Sequence, residues 1–88
     1  MEKREQLFEF GFDTLSFFEP EFCDEAIIGI SIDGHVIYSY EKLVNAFINN
    51  ENMTFEEAEE WISYNTIRTV PYMEVPPIII NELAEYYG

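Results

Sequence analysis

The chain changes periodicity twice after residue 25. Residues 26–32 and 35–40 are dense in β-branched and aromatic side chains, with Asp33-Gly34 between them. An Asp-Gly pair in that position predicts a β-hairpin, because both central residues of a two-residue turn must accept positive φ. Such a turn pairs Ile32 with His35, Ile30 with Ile37 and Ile28 with Ser39. One face then carries Ile28, Ile30, Ile32 and Ile37, assigned here to the core. The other carries Ile27, Val36, Tyr38 and Tyr40.

The period then lengthens. Tyr40, Leu43, Val44, Phe47 and Ile48 recur at helical spacing over residues 40–49, with Lys42, Asn45 and Asn49 opposite. After a polar connector, Thr54-Phe55-Glu56-Glu57 forms a capping box, in which Thr54 caps a second helix and Glu57 reaches back to the Thr54 amide. That helix runs to about residue 68 and stops before Pro71. Residues 72–75 read as a loop. Pro76-Pro77 introduces an apolar strand over 78–83, able to pair with either hairpin strand. Residues 1–25 read as a short helical start followed by an extended aromatic-rich segment.

The order strand-strand-helix-helix-strand predicts an α+β fold. Its sheet is small, three-stranded and mostly antiparallel, with two helices packed on one face, behind an irregular aromatic-rich N-terminal segment. The reading is a single domain over 1–88, with an N-terminal extension (1–25) and a core (26–83).

Charge sharpens this picture. The 88 residues hold 18 Asp and Glu against 4 Lys and Arg. Lys3 and Arg4 sit at the extreme N-terminus, outside the part expected to fold, so residues 5–88 hold only Lys42 and Arg68 against 17 acids. Disordered acidic chains are poor in aromatics, whereas this one is 48% hydrophobic and 17% aromatic, so it is expected to fold. An acidic surface disfavours direct nucleic-acid contact and anionic membranes. One cysteine, no apolar leader and no run of 18 apolar residues point to a cytoplasmic setting.

Candidate chemistry is sparse. The lone cysteine and histidine, Cys23 and His35, lie on the order of 25–30 Å apart along an extended strand, too far for a nucleophile–base pair or a shared zinc. Cys23 reads as a buried thiol and His35 as an exposed hairpin residue. Glu56 and Glu60 are four apart on the second helix, where acids stabilise the first turns through the macrodipole. No glycine-rich phosphate loop is present. The chain is therefore read as a non-enzyme, with no catalytic, cofactor or metal residues.

The second helix carries the candidate site. At 100° per residue Phe55, Ala58, Ile62 and Thr69 face the sheet, with Trp61 at the boundary. Glu56, Glu57, Glu59 and Glu60 spread over the opposite side with Tyr64 and Ile67 among them. Acids around an exposed tyrosine and isoleucine suit a protein-binding surface; the alternative is that Tyr64 and Ile67 are covered by the N-terminal segment or the chain after Pro71. Arg68 is expected to pair with an acid, and Asn65 to bond the backbone of the following loop.

The stretches Asp24-Glu25-Ala26-Ile27-Ile28-Gly29, Asp33-Gly34-His35-Val36-Ile37-Tyr38-Ser39-Tyr40, Met53-Thr54-Phe55-Glu56-Glu57-Ala58 and Trp61-Ile62-Ser63-Tyr64-Asn65-Thr66-Ile67-Arg68, then Pro71-Tyr72 and Pro77-Ile78-Ile79, resemble a family of short proteins from phages and mobile elements of Gram-positive bacteria. The resemblance covers residues 24–80 and implies a mobile-element context but no activity. In size, charge and context the chain is similar to small acidic anti-CRISPR proteins. That implies a nucleic-acid mimic that blocks nucleic-acid loading by a type II CRISPR effector nuclease. The alternative is a structural or accessory module of a mobile element, as a homodimer joined through the Tyr38/Tyr40 face or the segment from Phe8 to Phe18, with charge serving solubility.

Overall fold

The computed structural model describes residues 3–69, 71 and 73–83, without the side chains of Ile67 and Thr69. The elements are α1 (Lys3–Phe8), a 3-10 turn (Glu21–Ala26), β1 (Ile27–Ile30), β2 (Val36–Ser39), α2 (Tyr40–Glu51), α3 (Phe55–Thr69) and β3 (Ile78–Ile80). β2 is the central strand, antiparallel to β1 and parallel to β3. Parallel pairing needs a crossover of about a dozen residues or more, and α2 with α3 supplies it. The fold is α+β with a mixed three-stranded sheet and packed helices.

The hairpin turns differently from the Asp-Gly expectation. Gly34 N donates to Ser31 O at 3.0 Å and Ser31 N to His35 O at 2.9 Å, so Ile32, Asp33 and Gly34 form a three-residue loop. Gly34 takes φ +92°, the left-handed residue that closes such a loop. Ile30 therefore faces Val36, Gly29 faces Ile37, and an irregularity at Ile28 brings Ile27 opposite Tyr38. A slip of one residue exchanges the faces of a strand. The core assignment is corrected accordingly. Val36, Tyr38 and Ile27 are buried and Ile30 packs against them, while Ile28 and Ile37 are half-buried and Ile32 is 99% exposed.

Ser39 ends β2 and caps α2, its hydroxyl accepting from Lys42 N at 3.3 Å. α2 buries Leu43, Val44, Ala46 and Phe47 and packs on the 3-10 turn, β2 and α3. Phe47 bridges these layers, its ring 5.0 Å from Phe22 and 4.4 Å from Trp61. α3 contributes Ala58 and Ile62 to the core. Phe55, expected beside them, is exposed. A helical side chain leans over the turn N-terminal to its own Cα, and no turn precedes Phe55.

The N-terminal segment belongs to the same core through Leu7, Phe18 and Cys23. Lys3 Nζ donates to the carbonyls of Glu25 and Ile27, each at 2.9 Å. Arg4 grips Asp24 with two bonds, 2.5 and 3.0 Å, and stacks 4.3 Å above the Phe17 ring. Phe18 N donates to the buried Tyr38 hydroxyl at 2.9 Å. The two cations expected to lie outside the folded part are thus a clamp within it. His35 also departs from expectation: it is half-buried, its Nδ1 lying 2.6 Å from Pro76 O, and so ties the hairpin to the approach to β3.

Candidate functional site

The capping box forms as the sequence predicts. Thr54 N donates to Glu57 Oε1 at 2.9 Å and Glu57 N to Thr54 Oγ1 at 3.1 Å. Two otherwise orphaned amides at the helix start are thereby satisfied, which fixes the first turn of α3 and the rotation of every side chain after it.

That rotation divides the four glutamates. Glu56, Glu57 and Glu60 are exposed on the face away from Ala58 and Ile62. Glu59 is not with them: it is half-buried and accepts the Tyr40 hydroxyl at 2.8 Å. The bond to this carboxylate raises the Tyr40 pKa above its ordinary value. Glu59 therefore ties α3 to the first residue of α2, and its expected place on the open face of the helix is corrected. On a helical wheel it stands only about 60° from Ile62, close enough to the buried stripe for Tyr40 to reach it.

Tyr64 is 56% exposed, so it is not covered by the N-terminal segment. The backbone position of Ile67 shares its face, but the Ile67 side chain lies outside the described atoms. Among the described residues Arg68 meets Tyr64 instead of an acid: its Nη1 donates to the Tyr64 hydroxyl and its Cζ lies 5.0 Å from the ring centre. Within the same set Asn65 bonds backward to Trp61 O at 2.8 Å, and part of the loop it was expected to reach lies outside the described residues.

Met53, Glu57, Glu60, Trp61 and Tyr64 together line an open groove of about 400 Å³ along α3. The sequence pattern puts Glu57, Glu60 and Tyr64 on this surface. It misses Met53 and places Trp61 only at a boundary. The signal is present, since positions 57, 60, 61 and 64 follow the i, i+3, i+4, i+7 spacing of one helix face.

Among the described residues, Glu56, Glu57 and Glu60 pair with no cation. Lys3 and Arg4 are committed to the N-terminal clamp and Arg68 to Tyr64. Cys23 is fully buried, and burial, reinforced by Asp24, Glu19 and Glu25, pushes its thiol up to about 12. It is poorly placed to act as a nucleophile. Among the described residues no helix is long and apolar enough to cross a membrane. No family model, curated protein or solved structure matches the chain.

Proposed function

We propose that this chain is a non-enzymatic, cytoplasmic binding protein that docks its α3 face into a basic nucleic-acid channel of a host protein. A type II CRISPR effector nuclease is the partner favoured by the chain's small size, its acidic charge and the mobile-element context that its resemblance implies. The observation that carries the reading is the unpaired Glu56, Glu57 and Glu60 around exposed Tyr64 on one helix whose first turn is fixed by a capping box. Duplex DNA presents about one charge per 1.7 Å of axis, and a dense row of carboxylates offers a channel built for nucleic acid comparable charge.

The test is binding to an effector nuclease with and without guide and target. Binding weakens steeply with salt and competes with nucleic acid, and combined Glu56→Gln, Glu57→Gln and Glu60→Gln substitution abolishes it in a folded protein. Glu59→Gln leaves it intact. A triple variant that inhibits as well as its parent overturns the reading.

An accessory homodimer is the second reading, favoured by exposed Phe8, Phe10 and Ile32. Tyr38 and Phe18 are buried within the chain, so the dimer interface would draw on Phe8, Phe10 and Ile32 instead. Sedimentation at two concentrations decides whether a dimer exists.

A further inference from the structure

We infer that the α3 groove is a recess for an arginine side chain of a partner protein. This rests on the docking function proposed above and names what the site reads. The groove is built from two chemistries on one helix face. Trp61, Tyr64 and Met53 supply flat or polarisable apolar walls, and Glu57 and Glu60 supply carboxylates. Side chains three and four apart on a helix stand about 5–6 Å from each other at Cβ, so one planar guanidinium can lie on an aromatic wall and present its N–H edge to an acid.

Charge complementarity selects the occupant. A purely apolar side chain would desolvate two carboxylates that pair with no cation among the described residues, without replacing their bonds to water. A lysine supplies charge but no plane to stack and no fork to bond bidentately. Arginine supplies all three. The chain makes the same choice internally. Arg4 sits 4.3 Å above Phe17 while bonding both oxygens of Asp24, and Arg68 lies over Tyr64. Arg68 is not among the side chains lining the groove, so it leaves the Glu57, Glu60 and Trp61 portion open.

The experiment uses the full chain and a defined probe, acetyl-Gly-Arg-Gly-amide, with its lysine counterpart as comparison. Trp61 is the single tryptophan, so its indole N–H resonance reports the groove without ambiguity. The arginine peptide shifts the Trp61 and Tyr64 resonances saturably and binds roughly two- to fivefold more tightly than the lysine peptide, since both cations can meet a ring but only the guanidinium stacks on it and forks to a carboxylate. Glu57→Gln with Glu60→Gln removes that preference. Glutamine still serves the capping box, so the helix start is preserved. Glu41→Gln, exposed on α2 and outside the groove, leaves it unchanged.

Equal affinity for the two peptides, or shifts spread over all surface carboxylates, overturns the assignment. If effector binding still requires the glutamates in that case, the docking function stands and only the arginine recess falls. Arginine preference at Trp61 with glutamate-independent effector binding supports the recess and removes the docking function instead.

Discussion

Gly34 is the position where one atom matters most. Its φ of +92° suits glycine, and a Cβ there would stand 2.8 Å from Phe12 Cδ1, where the N-terminal segment crosses the hairpin loop. Gly34→Ala is expected to cost about 1–3 kcal/mol in urea unfolding, from backbone strain and the displaced ring. Gly29, with nothing within 4 Å of an added Cβ and no positive φ, accepts alanine within about 0.5 kcal/mol. Equal effects at the two sites would contradict the loop geometry. Cys23 gives a second prediction at this scale. Its thiol is raised from 9.0 to about 12 by burial, so above pH 9 the unfolded chain releases this proton first. Folding stability from this group is intact below pH 9 and is lost as pH climbs towards about 12. Tyr38, also raised by burial, adds to the same alkaline decline. Cys23→Ala should flatten the early part of that decline in pH-dependent unfolding; an unchanged curve between pH 9 and 10 would contradict it.

At the scale of elements, the helices were legible because their signals are local. The period of Leu43, Val44 and Phe47 and the Thr54/Glu57 box each lie within a few residues, and both appear as read. The hairpin was legible as a hairpin but not in register. Asp33-Gly34 suits a two-residue turn, yet Ser31 takes both backbone bonds that close a three-residue loop, and its hydroxyl also bonds Asp33 and the His35 amide. One residue of slip was enough to exchange the faces. Glu59 was misread for a related reason, since its partner Tyr40 is 19 residues away. The N-terminal clamp was illegible because Arg4 finds Asp24 across 20 residues. That pair is partly exposed, with 29% and 21% of the two side chains accessible, so screening trims its strength. A double-mutant cycle of Arg4→Ala and Asp24→Ala should give a coupling of about 1 kcal/mol. Additive single effects would mean the clamp is held by Lys3 and Leu7 instead.

For the whole molecule the governing quantity is a formal net charge of −14 on 88 residues. Self-repulsion of that size acts against the compact state, and the few attractive pairs cannot offset it, because three of the four Lys and Arg are spent on the clamp and on Tyr64. Repulsion between exposed carboxylates is long-ranged and therefore sensitive to salt. Raising NaCl from about 20 to about 500 mM shortens the screening length from roughly 20 Å to roughly 4 Å. Screening also weakens the Arg4–Asp24 pair, but less, since that contact is close and partly buried. The melting temperature should thus rise with salt, by about 4–8 °C for each 1 kcal/mol of repulsion relieved. A melting temperature that falls with salt would mean that attractive pairs dominate and that the acidic surface carries little strain. The same reasoning links stability to docking. A cationic cleft relieves the repulsion that salt relieves, so a genuine partner should raise the melting temperature most at low ionic strength, and its added stabilisation should shrink as salt takes over that role.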